Sequence, residues 1–276
     1  MKHSISQIAG RALLAAVVAS ASITAAQAQD YITVQSTTST QNSGLYDVIL
    51  PQFTDSSGIE VRVVAVGTGQ AIKNARNCDG DVLLVHAKPA EEKFVADGYG
   101  VERFDVMYND FVFVGPDSDP AGLTSAGSVT EALLKVRDGE APFASRGDDS
   151  GTHKKEQALW KSAGIDPADI SGSWYRETGS GMGATLNIAV GMGAYAMTDR
   201  ATWIAFENKQ DYKIVVEGKD DLFNQYGVML VSTDKCPSTK VDQGQAFIDW
   251  LLSSEGQAAI GAYKRDGQQL FFPNAK

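Results

Sequence analysis

Histidine and cysteine are nearly absent from this chain, three of one and two of the other in 276 residues. His3 falls in the leader described below, so only His86 and His153 remain. No His/Cys cluster has the spacing of a metal centre, and no directly coordinated cation is expected. Excess basic charge is lacking too. Lys and Arg total 24 against 34 Asp and Glu, a net charge of −10, which argues against nucleic acid and anionic lipid as partners. Beyond the first residues no apolar run approaches the roughly 20 residues that span a bilayer. Repeats, low-complexity tracts and Pro-rich linkers are missing as well, so the chain reads as one large domain or two ordinary lobes. A negative chain of this kind can bind an anion only through donors gathered at one place.

What is present begins with an export pattern. Lys2 and Arg11 are followed by apolar Ala12 to Ala19 and by small residues ending in Ala26-Gln27-Ala28, which predicts a signal peptide over 1–28 cleaved after Ala28. Ser20, Ser22 and Thr24 interrupt the run, against a membrane anchor, and no cysteine follows it to take a lipid. The expected product is free in a periplasm, with 248 residues and, having lost Lys2 and Arg11, a charge of −12. In that compartment Cys78 and Cys236 read as one disulfide, with a pair of buried thiols as the alternative. A bridge would place an N-terminal and a C-terminal segment in the same lobe.

From Tyr31 the chain alternates β-rich runs with helical patterns. Strands are predicted over 31–34, 60–66 and 81–85, and helices over 44–56 and from about Gln70. Two strongly β-prone runs, 104–114 and 226–232, flank a middle section with its own pattern. That section reads as helix 128–136, strand 142–145, helix 151–163, strand 174–176, helix 183–190 and strand 194–198. Helices over 243–252 and 255–263 close the chain. An α/β architecture follows in which the chain leaves a first lobe (29–114 and 225–276), builds a second (115–224) and returns.

Three strand-to-helix junctions are rich in donors. Ser145-Arg146-Gly147-Asp148-Asp149-Ser150-Gly151-Thr152-His153 enters a helix whose unpaired N–H groups and dipole suit an anion, and Arg146 adds a charged fork. Its plainer reading is an ordinary cap made by Asp149 or Ser150, with Arg146 paired to Asp148 on the surface. Ser36-Thr37-Thr38-Ser39-Thr40 places five hydroxyls after the first strand, and Gly67-Thr68-Gly69-Gln70 repeats the arrangement. Each is weak alone; a cleft between two lobes is the simplest explanation of all three.

Several segments closely resemble the tungstate-binding proteins of ABC transporters. They are Ser-Thr-Thr-Ser-Thr-Gln-Asn-Ser-Gly-Leu at 36–45, Ala-Val-Gly-Thr-Gly-Gln-Ala at 65–71, Asp-Val-Leu-Leu-Val-His-Ala at 81–87, Val-Met-Tyr-Asn-Asp-Phe-Val at 106–112 and the stretch at 145–153. The resemblance implies a type II periplasmic-binding-protein fold, two α/β lobes with mixed sheets flanked by helices and joined by two crossing segments. It also implies capture of tungstate, with molybdate as the alternative, and delivery to an ABC permease by a monomer that uses no cofactor. The 145–153 stretch is similar to the Arg-Ser-Asp-Gly-Ser-Gly-Thr loop of phosphate-binding proteins. By that likeness Arg146, Ser150, Gly151 and Thr152 contact the anion, as does Thr68, while Thr37, Thr38 and Ser39 add hydroxyls; His86 and Asp148 stand behind them.

One departure bears on the cargo. Where phosphate binders carry an aspartate after the third strand, this chain has His86. Monohydrogen phosphate brings a proton that needs an acceptor, whereas tungstate and molybdate need donors only. That argues against phosphate as cargo, and phosphate or sulfate binding is kept as the lesser alternative. His153, in a first helical turn, is expected neutral because an imidazolium would oppose the dipole. A serine hydrolase built from Ser150, His153 and Asp148 lacks the Gly-x-Ser-x-Gly elbow. Gly179-Ser180-Gly181-Met182-Gly183 departs from a dinucleotide fingerprint and reads as a turn.

Overall fold

Val82-Leu83-Leu84-Val85 is apolar at every position, so a strand made of it needs cover on both faces. Val82 and Leu84 pack with Ile32, Val34, Phe53 and Phe247, while Leu83 and Val85 pack the other way with Ala71, Phe94 and Met229. The same alternation divides Phe111 and Phe113 from Val112 and Val114, each pair in its own cluster of the second lobe. The computed structural model describes residues 30–276; the expected leader and its cleavage lie outside the described residues.

The elements run β1 (Tyr31–Thr37), α1 (Thr38–Asn42), α2 (Leu45–Ser57), β2 (Glu60–Val66), α3 (Thr68–Arg76), β3 (Val82–Val85), α4 (Lys88–Ala96) and β4 (Gly100–Pro116). The middle section holds α5 (Val129–Asp138), β5 (Phe143–Ser145), α6 (Gly151–Ser162), α7 (Pro167–Ile170), β6 (Tyr175–Glu177), α8 (Met182–Met192), β7 (Tyr195–Asp199), α9 (Arg200–Ala205) and β8 (Tyr212–Val216). The chain ends with β9 (Phe223–Val231), α10 (Val241–Leu252), α11 (Ser254–Ala262), β10 (Lys264–Arg265), β11 (Gln268–Gln269) and β12 (Phe272–Pro273). Local chemistry sets the boundaries. Gly58 stops α2 by adopting φ +75°, and its N–H returns to the Thr54 carbonyl. Ser128 starts α5 by accepting from the Glu131 N–H.

In the first lobe β2, β1 and β3 are parallel, and β9 enters antiparallel between β3 and β4. β4 pairs with β9 from Gly100 to Asp110 and with β7 from Phe111 to Val114, so one strand serves both lobes. In the second lobe β5 lies parallel between β7 and β6, and β8 is antiparallel on β4. Each lobe is a mixed sheet flanked by helices. The chain crosses between lobes inside β4 and again on its way into β9; the sequence reading put these crossings after Val114 and at Gln225.

Eight elements were not anticipated: α1, α4, α7, α9, β8, β10, β11 and β12. The hydroxyl run does not form a loop: Ser36 and Thr37 finish β1, and Thr38 opens the short α1. α4 starts with Pro89 in its first turn, β8 lies on the second lobe, and α9 follows β7 without a break because Asp199 ends the strand and caps the helix. Although α9 falls in the middle of the chain, its Ala201 and Ile204 pack into the first lobe's cluster. Cys78 and Cys236 form a disulfide, Cα atoms 5.2 Å apart, which settles the choice between bridge and free thiols. Both ends belong to the first lobe.

Candidate functional site

The loop between β5 and α6 doubles back because Gly147 and Asp149 adopt φ +60° and +57°. Ser150 then turns extended, accepts from the His153 N–H at 3.2 Å and starts the helix. So the capping expected of Ser150 is present, but its partner reading changes: Arg146 pairs with Asp148 inside the protein, with a side chain only 4 % exposed. Arg146 Nε and Nη2 both donate to Asp148 Oδ2, at 3.1 and 2.5 Å, and Asp148 Oδ1 accepts from the Ser150 N–H at 3.2 Å. Burial alone would raise the Asp148 carboxyl; hydrogen bonds from Ser150 and the Arg146 charge outweigh it and hold the group below its usual range. The pair fixes the guanidinium plane, and Nη1 donates to no protein acceptor among the described residues.

In the first lobe the five hydroxyls divide. Ser36 donates to the Leu84 carbonyl at 2.8 Å and lies 2.5 Å from the Tyr46 hydroxyl, and Thr40 lies 2.7 Å from Thr37 Oγ1, so Ser36 and Thr40 face the protein. Thr37, Thr38 and Ser39 stay at the wall of a narrow space between the lobes. Val66, Gly67, Thr68, His86, Arg146, Ser150 and Gly151 complete it. The starts of α1, α3 and α6 therefore converge, with backbone N–H groups that their own helices cannot satisfy. The lobes meet here: the Gly151 N–H donates to Thr68 Oγ1 at 3.1 Å, and Gly69 lies against Asp149. Of the eight residues expected to touch a ligand, seven line this space. Thr152, the second residue of α6, is buried with Oγ1 unpartnered among the described residues and is not in the wall.

His86, expected behind the contacts, stands in the wall. Its ring stacks on Tyr226 at 4.7 Å, Nε2 lies 3.0 Å from Ser39 Oγ, and Nδ1 lies 3.1 Å from Asn224 Oδ1. Burial lowers its pKa to about 4, the Asn224 hydrogen bond acting against burial and the Arg146 charge with it, so the ring is neutral at pH 7. Asn224 in turn donates to Asn109 at 2.6 Å. Asn109 belongs to the segment at 106–112, but nothing in the sequence joins it to Asn224, because the two become neighbours only through the β4–β9 register.

Arg146 is the one charged side chain in the wall, and no carboxylate is among the lining residues. Asp199 is buried nearby, its carboxyl raised by burial and partly offset by hydrogen bonds from Thr202 and the Arg146 charge, and it is spent on capping α9. The constellation can replace the hydration of a small anion with neutral donors and one guanidinium. It has no nucleophile–base pair at Ser150: His153 Nδ1 accepts from the Asp149 N–H at 3.1 Å rather than facing the Ser150 hydroxyl. The His153 pKa is lowered, burial outweighing Asp148 and Glu177, so this ring is neutral as expected of a first helical turn. No cluster of three or more His, Cys, Asp or Glu side chains able to hold a metal ion occurs among the described residues. Gly179, at φ +62°, and Gly181, which caps α8, serve turn and cap geometry.

A family model described as a PBP superfamily domain matches residues 21–255. The tungstate-binding protein TupA of Peptoclostridium acidaminophilum is 48% identical over 253 residues, covering 90% of this chain and 87% of that one. Among solved structures, the tungstate-binding protein TupA from Desulfovibrio alaskensis G20 is 47% identical, with a TM-score of 0.78 over 90% of this chain and 100% of that one. The tungstate ABC transporter structure from Geobacter sulfurreducens is 48% identical, with a TM-score of 0.78 over 86% of this chain and 100% of that one.

Proposed function

The chain belongs to the PBP superfamily, and from that membership we propose that it captures tungstate between its two lobes and delivers it to an ABC permease for import. The relatives choose tungstate among the bare dianions, and the observation that carries the choice against a protonated anion is the make-up of the wall: hydroxyls, helix N-termini and one guanidinium, with no carboxylate among the lining residues. A bare tetrahedral dianion needs donors on all sides and no acceptor. Monohydrogen phosphate would bring a proton to a wall with no carboxylate to accept it. No chemistry is performed on the cargo, and the protein is a carrier rather than an enzyme.

In this reading Thr37, Thr38, Ser39, Thr68 and Ser150 donate through hydroxyls, Thr152 through its N–H, Gly151 through an N–H that exchanges Thr68 Oγ1 for the ligand, and Arg146 through the face of its fork not engaged by Asp148. Both lobes supply donors, so ligand favours the closed arrangement and raises the melting temperature. Action as a monomer without a cofactor is part of the proposal. The family is periplasmic; export by cleavage after Ala28 is part of the proposal.

Calorimetry with tungstate, molybdate, sulfate and phosphate at one pH tests the function. Tungstate is expected to bind far more tightly than sulfate or phosphate, and Arg146→Ala to weaken it by roughly 100-fold or more, since a charged hydrogen-bonding partner is lost from a dry site. Equal affinity for all four anions would overturn selective capture, and an unchanged Kd in Arg146→Ala would remove Arg146 from the site.

A further inference from the structure

Two residues at the edge of the seam go against their own backbones. Gly69 is the second residue of α3, helical and without a left-handed φ, where alanine would suit the helix better. Asp149, at the tip of the turn between β5 and α6, has φ +57°, a conformation that favours glycine. The two exceptions meet. A Cβ on Gly69 would overlap Asp149 Oδ2 and stand 3.2 Å from the Asp149 carbonyl oxygen, so the carboxylate occupies the hollow that the missing side chain leaves. One residue belongs to the first lobe and the other to the second.

Asp149 is held for this contact by its own lobe. Its N–H donates to His153 Nδ1 at 3.1 Å, its carbonyl accepts from Lys154 Nζ at 2.9 Å, and the same ammonium pairs with Oδ1. Lys154 thus offsets the charge that the carboxylate brings near an anion site. Oδ2 is left for the start of α3, where Gly67 offers no side-chain cap and the helix dipole favours a negative group. Thr68 and Ser150, the neighbours of the two residues, line the ligand space, and the Gly151 N–H meets Thr68 Oγ1 just inside. The Asp149 side chain is 77 % exposed, so the contact forms the outer margin of the seam, with solvent on one side and the wall on the other. Backbone exceptions that serve no local need collect at functional contacts.

We propose that Asp149 and Gly69 form a bolt across the cleft: the carboxylate seats over Gly69 when the lobes close on the oxyanion, and must leave that hollow before the anion can. Asp149 is a positioning residue, which touches no ligand and governs how long the ligand stays. An alanine at 69 would improve the helix and hold the lobes apart. Turning the carboxylate aside would lose the Lys154 pair and still leave the Asp149 carbonyl oxygen 3.2 Å from the added methyl. The bolt rests on the oxyanion reading of the cleft, and the test separates the two.

Affinity by calorimetry, and release of radioactive tungstate chased with unlabelled tungstate, are measured for Asp149→Gly, Gly69→Ala and the double variant. Glycine takes φ +57° freely, so Asp149→Gly removes the carboxylate without straining the turn. It should release tungstate roughly two- to fivefold faster, the range for a charge at a helix start, with the association rate little changed. Gly69→Ala should melt no lower than the parent without ligand and bind roughly fivefold or more weakly, because its methyl meets the carboxylate. In the double variant the carboxylate is gone, and binding should return to within about threefold of Asp149→Gly alone. Losses that multiply, or release from Asp149→Gly at the parent's rate, would overturn the bolt. Should Gly69→Ala melt lower, recovery of binding in the double variant still decides. If tungstate does not bind but molybdate, sulfate or phosphate does, the tungstate reading falls and the same cycle with that anion decides the bolt; binding of none of the four overturns both.

Discussion

Arg146 reaches the site already held on one edge, since Asp148 takes two of its three nitrogens. Less of its side-chain freedom remains to be lost when a ligand arrives, which is the advantage of a preorganised fork over a mobile ammonium. A second buried acid lies further along α6. Glu156 Oε1 accepts from Trp160 Nε1 at 3.1 Å and from the Tyr175 hydroxyl at 2.7 Å, and burial pushes its pKa up from 4.5 to about 7 against those hydrogen bonds. Between those two values the folded protein keeps a proton that the unfolded chain releases. The stability contributed by this group is therefore complete below about pH 4.5 and is lost as pH rises through about 7. Glu156→Gln keeps the acceptor and removes the charge. In denaturant titrations it should exceed the parent in stability at pH 8 by on the order of 1–3 kcal/mol, with the gap closing toward pH 5; identical pH slopes would refute ionisation of Glu156 as its source.

At the scale of elements, the closed seam rests on how closely two helix starts approach. A Cβ on Gly151 would stand 2.9 Å from Thr68 Oγ1 and 3.3 Å from His86 Cε1, so a methyl there holds α6 off α3. Gly151→Ala should leave the ligand-free melting temperature nearly unchanged and weaken tungstate binding roughly tenfold or more, as expected when a hydrogen bond to a charged ligand is lengthened. A variant that binds as tightly as the parent would place the seam elsewhere. The junctions themselves were legible in the sequence because hydroxyls and glycines at strand ends are local signals, as are the apolar periods behind α2, α5, α6, α10 and α11. α4 and α9 escaped although Pro89 and Asp199 are helix-start residues, because each helix is short and follows its strand almost at once. The place of His86 in the wall, and the meeting of Asn109 with Asn224, depend on strands far apart in the chain, and no local pattern announces either.

For the whole molecule, the Cys78–Cys236 bridge spans 158 residues of sequence, a loop that contains the entire second lobe, yet both of its ends lie in the first. Removing it with Cys78→Ser and Cys236→Ser should lower stability by about 2–5 kcal/mol, while tungstate affinity stays within about threefold because neither cysteine is near the wall. Thermal melting and calorimetry on the same preparation check both halves, and a large loss of affinity would mean that the bridge also shapes the cleft. The order of strands has a further consequence, for time rather than for stability. β9 sits between β3 and β4, so the first lobe lacks a central strand until residues 223–231 are available, whereas the second lobe draws its sheet from one uninterrupted stretch, 111–216. A chain emerging from its N-terminus therefore completes its second lobe first. The first lobe stays an open thread until about the last fifth of the chain has appeared, so its cleft half is finished after that of the second lobe.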